Sequence, residues 1–396
     1  MSKKIGRRRL RVLIAPSGFK EGLGVHEVAA AIARGIRQAV PRAKIMRVPM
    51  IDGGEGFTRT MVELTGGELH PVTVSGPVGQ VVEAEIGFLG GRRKRVAVME
   101  MAAAAGLRLV PKDMRDPTLT TSRGVGELIR AALDLGAERI VLGCGDSGIN
   151  DAGAGMAQAL GIRLLDAAGQ PIAGTGAALS SLDRIDMSKR DPRLERVRID
   201  VAVNPYNMLL GDTGVARIFG PQKGATPEQV ALLEHGLETF AQTVRRDPGI
   251  EVATLTGGGA SGGLGAGLHA FAGARLHPRF DLILRHIDLD RRLAKADLVV
   301  TAEGGIDAQT RFGKVPAEIA LRAKRYRLPV LALAGTVGSG AESTREVGID
   351  AVFGILKRPC SLEDAIRETD ALLADAAEQA VRLMLAGRQW RSSVRA

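Results

Sequence analysis

The sequence predicts a two-domain α/β protein, in which a doubly wound parallel-sheet domain is interrupted by an inserted mixed α/β domain. The chain has 396 residues, which exceeds the length of a typical single domain. Apolar residues make up 45% of it and aromatic residues only 3%, so the cores must be built from Ala, Val, Leu and Ile. Alternating strand and helix patterns occur at both ends of the chain, with differently spaced strands between them.

The first domain is predicted from residues 1–66 and 287–396. Residues 10–15 are predicted to form a buried strand, and residues 25–40 an amphipathic helix that Pro41 ends. A sheet that begins near the N-terminus and resumes near the C-terminus implies an insertion, so we expect a Rossmann- or flavodoxin-like domain in two pieces. Its other predicted elements are strands at 44–50, 297–301, 329–334 and 351–355, and helices at 316–325 and 361–385.

Residues 67–286 are predicted to form the inserted domain. Short strands joined by Gly-Pro and Gly-Gly turns, with little helix between them, indicate an antiparallel or mixed sheet. Ligands of parallel sheets bind beyond the carboxyl ends of strands, so we expect a site in the cleft between the domains. The predicted strands are 68–74, 81–88, 95–99, 139–142 and 197–203, and the predicted helices are 126–135, 151–160, 226–244 and 261–272.

The formal net charge of +10 is concentrated at the two ends of the chain. Six cations precede residue 12 and three follow residue 387, which leaves the rest almost neutral. A nucleic-acid partner is therefore not expected, because phosphate binding needs a basic face. No run of 18 apolar residues predicts a membrane span, and Cys144 and Cys360 are too few for a disulfide framework. We expect a cytoplasmic protein that binds a small molecule. Whether it forms a homo-oligomer is left open.

Charged side chains lie in glycine-rich loops after several predicted strands. Lys20 follows the first strand, where it can meet a phosphate or carboxylate as a point charge. Asp52 and Glu55 follow the second strand in a loop with three glycines, and paired carboxylates can hold Mg²⁺. After residue 301, Glu303 and Asp307 can ligate a metal, position a hydroxyl group or cap a helix.

Two further segments are typical of anion sites. A capping box at residues 226–229 predicts a helix start next to Lys223, where the positive end of the helix could hold an anion. A second glycine-rich loop precedes the predicted helix at 261–272 and suits an oligophosphate, although close helix packing is the alternative. The residues of this loop that we single out are Gly257, Gly258, Gly259 and Ser261.

Residues 143–148 match the pattern G-x-G-x-x-G after a predicted strand, and Asp166 follows a further strand. This arrangement makes an NAD-binding oxidoreductase an alternative function. Asn150 and Asp151 argue against it, because they place polar and acidic side chains where the helix should pack on the sheet.

Taken in order, these segments resemble the bacterial type I glycerate kinase family from about Val12 to about Ile355. A single block would be a weak signal, but six blocks in family order indicate homology and imply the family's two α/β domains. The blocks are Ala15-Pro16 with Phe19-Lys20-Glu21, Asp52-Gly53-Gly54-Glu55-Gly56, Thr120-Thr121-Ser122 with Gly126-Glu127-Leu128, Ser147 with Asn150-Asp151, Phe219-Gly220-Pro221-Gln222-Lys223-Gly224-Ala225, and Glu303-Gly304 with Ile306-Asp307 and Gln309-Thr310.

The resemblance implies that the γ-phosphoryl group of ATP is transferred to a hydroxyl of D-glycerate with Mg²⁺. It implies that Lys20 and Lys223 neutralise phosphate or the glycerate carboxylate, and that Asp151 or Asp307 orients the attacking hydroxyl. The implied magnesium ligands are Asp52, Glu55 and Glu303, and the implied substrate or phosphate ligands also include Ser147, Asn150, Gly257, Gly258, Gly259, Ser261 and Lys314. Whether the 2- or the 3-hydroxyl is phosphorylated is left open.

Several positions depart from the family's pattern. Ser17 and Asn204 stand where the family has acids, Gly305 stands where it has arginine, and Asp146 adds a charge. Loss of a base or a metal ligand commonly lowers rates by orders of magnitude. These departures leave open a family member that acts on another small hydroxy acid, and one that binds nucleotide or hydroxy acid without turnover.

Overall fold

The structure is a computed structural model that describes residues 9–19, 22–51, 53–91 and 95–394, with side chains up to residue 387. The chain divides into two compact units. Unit 1 comprises the described residues up to Ile51 and from Asp288 onward, and unit 2 comprises the described residues between them. Two residues singled out from the sequence, Lys20 and Asp52, lie outside the described residues.

Strands and helices alternate along most of the chain. The strands are β1 (Arg11–Ile14), β2 (Lys44–Arg47), β3 (Glu68–Ser75), β4 (Val81–Phe88), β5 (Val96–Glu100), β6 (Arg139–Gly143), β7 (Arg163–Leu165), β8 (Arg184–Asp186), β9 (Arg198–Val203), β10 (Arg275–Pro278), β11 (Leu298–Ile306), β12 (Val330–Val337) and β13 (Ala351–Gly354). The helices are α1 (Val25–Ala39), α2 (Phe57–Thr65), α3 (Ala102–Ala105), α4 (Arg123–Asp134), α5 (Ala154–Ala159), α6 (Val215–Phe219), α7 (Pro227–Arg246), α8 (Leu264–Ala272), α9 (Arg279–His286), α10 (Leu289–Leu293), α11 (Val315–Arg325) and α12 (Leu362–Val394).

Unit 1 is built on a parallel sheet with the strand order β13-β12-β11-β1-β2. The strands are almost continuously apolar because both faces of such a sheet are covered, and the side chains of Val12, Ile14 and Leu298 are fully buried. Helices α1 and α12 pack together. Gly35 permits this approach, because a Cβ atom there would lie 1.8 Å from the Ala374 carbonyl oxygen.

Unit 2 is built on a mixed sheet with the strand order β10-β9-β6-β5-β4-β3. The strands from β10 to β5 are parallel, whereas β5, β4 and β3 are antiparallel neighbours. Strands β7 and β8 form a separate antiparallel pair. The predicted fold class, α/β with parallel sheets and a mixed region in the middle of the chain, is confirmed.

The boundary between the units differs from the prediction. Residues 52–66 and residue 287 are predicted to belong to the first domain, but the chain divides after Ile51 and after Ile287. The reason is helix α2, which packs on β4 and β5 and buries the side chains of Phe57 and Met61 completely. Apolar patterning shows that a helix has a buried face but not which sheet covers it.

Two predicted helices begin later than expected. The helix predicted from residue 151 begins at Ala154, and the helix predicted from residue 261 begins at Leu264. The preceding residues form loops that approach each other, since the Ala152 N–H donates to the Gly262 carbonyl oxygen at 3.0 Å. Among the described residues, no helix is long and apolar enough to cross a membrane.

Candidate active site

The carboxyl ends of three parallel strands in unit 2 lie side by side. Glu100 at the end of β5 is in register with Gly143 at the end of β6, and Gly143 is in register with Ala202 in β9. The loop after β6 carries three residues singled out from the sequence, Ser147, Asn150 and Asp151. This edge of the sheet is where a parallel α/β unit binds its ligands.

Asp151 is fully buried and surrounded by hydrogen-bond donors. Its Oδ2 atom accepts from the Ser122 N–H at 2.8 Å, the Ser122 hydroxyl at 2.7 Å and the Gly155 N–H at 3.1 Å. Its Oδ1 atom accepts from the Gly153 N–H at 3.1 Å. Burial raises the pKa of Asp151, and these four donors oppose that rise by stabilising the carboxylate. The carboxylate therefore fixes the segment that leads into α5.

Lys223 points into the interior of unit 2. Its side chain is buried, and its Nζ atom donates to the Ile149 carbonyl oxygen at 2.6 Å. Burial lowers the pKa of Lys223 to about 7, and the negative charge of Asp151 opposes that shift. The ammonium group lies at the loop after β6, and the anion site expected beside the start of α7 stays a prediction.

The first turn of α7 is capped by hydrogen bonds from residues of the same segment. The Thr226 hydroxyl accepts from the Gln229 N–H at 3.3 Å, and Gln229 Oε1 accepts from the Thr226 N–H at 2.9 Å. Gln229 Nε2 also donates to Asp116 Oδ2 at 2.9 Å. The predicted capping box is present, and the Gln229 side chain links the Asp116 carboxylate to the first turn of the helix.

Asn150 and Ser261 are buried polar residues with unsatisfied side chains. Within the described structure, neither the amide nitrogen nor the amide oxygen of Asn150 has a hydrogen-bond partner. Ser261 Oγ lies beside the Cys144 thiol and has no nitrogen or oxygen partner. Burial raises the pKa of that thiol to about 12, so it stays protonated. Buried polar groups without partners are rare and costly.

The peptide between Ile149 and Asn150 is contacted by Lys223 and approached by the segment that carries Ser261. Gly262, the neighbour of Ser261, lies so close to it that a Cβ atom at Gly262 would be 2.1 Å from the Ile149 oxygen and 2.7 Å from the Asn150 Cα. The Ile149 oxygen is also the acceptor for Lys223. We refer to Asn150, Lys223 and Ser261 as the buried polar cluster.

The glycines of the adjacent loop serve close packing, which is the alternative left open by the sequence. The Gly258 N–H donates to the Leu255 oxygen at 2.8 Å, and the Gly259 N–H donates to the Asn207 oxygen at 3.0 Å. A Cβ atom at Gly259 would lie 2.0 Å from the Met208 oxygen, and one at Gly257 would lie 2.6 Å from the Val203 side chain. The N–H groups of Gly258 and Gly259 are therefore already used and are not open to an oligophosphate.

A second group of carboxylates lies where the chain enters α2. Glu55 donates its N–H to Asp146 Oδ2 at 3.0 Å, and its carboxylate accepts from Arg108 Nε at 3.0 Å. Buried Glu100 accepts from the Gly56 N–H at 3.1 Å and the Thr58 N–H at 2.8 Å, and its pKa is raised by burial. Glu100 was not among the predicted site residues, although a single acid ends the otherwise apolar strand β5.

Unit 1 brings together Asp307 and Lys314, which follow β11 and precede α11. Asp307 Oδ1 accepts from the Gln309 N–H at 2.9 Å and from Lys314 Nζ at 3.3 Å. Partial burial acts to raise the pKa of Asp307, but the hydrogen bonds from Lys314 and Gln309 outweigh it, so the pKa lies below its usual value. The side chain is 42% exposed, and it is therefore an accessible, ionised carboxylate.

The predicted metal ligands Glu303 and Glu55 belong to different units. Glu303 lies within β11 of unit 1, in register with Ala334, and Glu55 belongs to unit 2. Among the described residues, no group of three or more His, Cys, Asp or Glu side chains is placed to hold a metal ion. The assignment of Mg²⁺ to Asp52, Glu55 and Glu303 stays a prediction, as does the expectation of a cleft site.

The G-x-G-x-x-G segment does not form a dinucleotide site. That motif requires a helix directly after the glycines and an acid after the next strand of the same sheet. Here α5 begins only at Ala154, and the strand before Asp166, β7, pairs with β8 outside the main sheet. The Asp166 carboxylate accepts from the N–H groups of Ala168 and Gln170, which makes it part of a turn.

Cations that neutralise phosphate charge and carboxylates that orient a hydroxyl, placed in the loops of α/β units, suit the transfer of phosphoryl groups. Comparison with known proteins gives the same class. The model of the glycerate kinase family matches residues 12–385. The chain belongs to the glycerate kinase family, and it is a kinase-type phosphotransferase. The resemblance found in the sequence is confirmed, and membership in a kinase family implies ATP as the phosphoryl donor.

Several relatives cover almost the whole chain. A glycerate kinase of Halalkalibacterium halodurans is 46% identical over 382 residues, which is 96% of this chain and 99% of the relative. A glycerate 2-kinase of Escherichia coli is 43% identical over 358 residues, which is 90% of this chain and 93% of the relative. A crystal structure from Salmonella typhimurium LT2 that carries the name glycerate kinase 2 has a TM-score of 0.83 and 45% identity, covering 96% of this chain and 100% of that one.

Proposed function

We propose that the protein transfers the γ-phosphoryl group of ATP to a hydroxyl group of D-glycerate, giving phosphoglycerate and ADP. In this step a bond forms between the hydroxyl oxygen and the γ-phosphorus, the bond to the β–γ bridging oxygen breaks, and the hydroxyl proton leaves. The observation that carries the proposal is the buried polar cluster, which offers one cation and three uncommitted side-chain polar atoms to a small hydroxy acid. The names of the relatives support the same substrate.

Of the two acids predicted to orient the attacking hydroxyl, we assign this role to Asp307. Asp151 uses both of its oxygens to accept four hydrogen bonds from within unit 2. Asp307 is half exposed and receives its donors on Oδ1, and its lowered pKa keeps it ionised at neutral pH. A weakly basic carboxylate suffices, because phosphoryl transfer depends mostly on positioning and charge neutralisation.

The cationic residues neutralise the negative charge of the reactants. We assign Lys314 and Lys20 to the phosphate groups, and Lys223 to an anionic group that binds deep in unit 2. Lys314 precedes the N-terminus of α11, so its ammonium group and the helix dipole act in the same direction on an anion. Lys314 also holds Asp307, which links the phosphate site to the residue that orients the hydroxyl.

The carboxylates Asp52 and Glu303 are our choice for holding Mg²⁺ together with the nucleotide phosphates. Their oxygens fit this ion, which is usually bound by one or two carboxylates and substrate phosphates. Glu55 is less suited to it, because its carboxylate already pairs with Arg108. When bound, Mg²⁺ neutralises charge on the phosphate oxygens.

A coupled assay of ADP release with Mg-ATP and D-glycerate tests the proposal. Turnover of about 1–100 per second, which is usual for kinases, supports it. Binding of ATP without ADP release on D-glycerate or any other short hydroxy acid contradicts it and supports the family member without turnover. Preference for a different hydroxy acid identifies a substrate-shifted enzyme.

Two of the departures from the family's pattern have a structural role. Asn204 Oδ1 accepts from the Tyr206 N–H at 3.1 Å, a turn contact that an aspartate would make equally well. Ser17 donates its N–H and its hydroxyl to the Ala302 oxygen, at 2.9 Å and 3.1 Å, and so joins the loop after β1 to β11. These contacts support an enzyme whose loops are intact.

A further inference from the structure

We propose that the buried polar cluster is the recognition site for the carboxylate and adjacent hydroxyl of a short 2-hydroxy acid, and that Asn150 is its specificity-determining residue. This inference rests on the proposed function and decides a point left open there, namely which reactant Lys223 meets. The alternative is that the cluster receives phosphate groups of the nucleotide.

The charge at the cluster matches a carboxylate. Lys223 and Asp151 are both buried and interact electrostatically, so little positive charge is left over. A carboxylate adds one negative charge, which is the smallest imbalance that an anionic ligand can bring to the cluster. A triphosphate adds several, and burying unbalanced charge is costly. The N–H groups of Gly258 and Gly259, which could have assisted a phosphate, already donate to the Leu255 and Asn207 carbonyl oxygens.

The hydrogen-bonding groups match a hydroxyl next to a carboxylate. An amide side chain both donates and accepts, so Asn150 can donate to a carboxylate oxygen and accept from the neighbouring hydroxyl. The Ser261 hydroxyl can donate to the second carboxylate oxygen. Neither side chain has such a partner within the described structure, whereas Asp151, beside Asn150 in the chain, is fully supplied with donors.

Backbone strain provides an independent reason to single out Ser261. It has φ +54°, a left-handed conformation that costs a residue other than glycine about 1 kcal/mol or more. Its neighbours Gly262 and Gly263 have φ +70° and +86°, as glycine readily does. A serine that is buried, strained and without a nitrogen or oxygen partner lowers stability, so a binding role explains why it is there when glycine would fit the backbone.

The test compares Asn150→Ala and Ser261→Gly with the unaltered protein by calorimetric titration with D-glycerate, with 3-hydroxypropionate and with ATP. We expect both variants to bind D-glycerate about tenfold more weakly, which is the loss of about one hydrogen bond, and to bind ATP within about twofold of the unaltered protein. The unaltered protein should prefer D-glycerate over 3-hydroxypropionate, which lacks the 2-hydroxyl, and Asn150→Ala should lose that preference.

Stability provides a second measurement. Ser261→Gly relieves the strain, so we expect its Tm to rise by a few degrees while glycerate binding weakens. Arg327→Gly is the matched control, because exposed Arg327 has φ +55° in the turn between α11 and β12. It should raise the Tm without changing glycerate binding.

Weaker ATP binding in the two variants would overturn the inference in favour of a phosphate site. Unchanged glycerate binding in the two variants would also overturn the inference. Ordered water would then be the partner of Asn150. These are binding measurements, so a protein that binds D-glycerate through Asn150 but releases no ADP would support this inference and contradict the proposed function.

Discussion

The ammonium group of Lys223 lies in the interior of unit 2 with a pKa of about 7, so it is only half protonated near neutral pH. In the unfolded chain its pKa returns to the usual 10.5. Between these two values the unfolded chain binds more protons than the folded protein. The free energy of unfolding of the ligand-free protein therefore rises with pH across this range.

Ligand binding should show the opposite dependence on pH. A carboxylate binds the protonated form of Lys223, so the Kd for D-glycerate should increase by up to about tenfold per pH unit above pH 7. Lys223→Met, which removes the titrating group but keeps an apolar stem, should lose both trends. Equilibrium unfolding and calorimetric titration from pH 6.5 to 9 measure them. Parallel curves for the two proteins would show that Lys223 does not titrate in this range.

Asp307 is the carboxylate whose loss we expect to lower kcat most. Asp307→Asn removes the negative charge that orients the hydroxyl, and kcat should fall by about 10²- to 10⁴-fold with the KM for ATP little changed. Glu346→Gln is a matched control, because it removes a surface carboxylate that pairs with Arg311 in the same unit. It should keep kcat within about twofold. If kcat falls by less than about tenfold in Asp307→Asn, Asp151 rather than Asp307 orients the hydroxyl.

Among the elements, the loop of residues 257–263 shows how one sequence pattern can serve two purposes. Glycine-rich loops before helices bind phosphates when their N–H groups point outward. Here the glycines let the loop lie against the strand ends, and Gly259 has no room for a side chain. In the helix that follows, α8, every residue except His269 is buried. This loop is a packing element that presents Ser261.

Gly259→Ala distinguishes the two purposes. The added methyl group would overlap the Met208 carbonyl oxygen, so we expect the free energy of unfolding to fall by about 1–3 kcal/mol. The KM for ATP should not change in the folded fraction. Gly387→Ala in α12 has open space around the new methyl group and should be neutral or stabilising. A rise in the KM for ATP without a loss of stability would instead indicate a phosphate-binding loop.

At the scale of the whole molecule, each unit has its own sheet and its own buried core. The buried polar cluster belongs to unit 2, close to the carboxyl ends of β6 and β9. A ligand held there stabilises the folded form by about 2.7 kcal/mol when its concentration is 100 times its Kd.

Hydrogen exchange at saturating D-glycerate should therefore show its strongest added protection in unit 2, at residues 143–155 and 257–263. The strands β12 and β13 of unit 1 provide the internal reference. Protection confined to unit 1 would contradict the location of the acid site. Asn150→Ala should remove the added protection at the same D-glycerate concentration.

The sequence by itself determined the alternating elements, the mixed character of the middle region and the family. These features depend on the local spacing of apolar residues and on short motifs, which are readable along the chain. It also singled out Asn150, Asp151, Lys223 and Ser261, because they lie in loops beside predicted strands and helices.

Only the tertiary structure decided what these residues do. Asp151 receives its donors from Ser122, 29 residues earlier, and Lys223 finds its acceptor at Ile149, 74 residues away. Long-range packing also places α2 in unit 2. It provides the Asn207 carbonyl oxygen as the acceptor for the Gly259 N–H group of the glycine-rich loop. Burial and hydrogen-bond partners depend on segments that are distant in the chain, and local patterns carry no information about which of them meet.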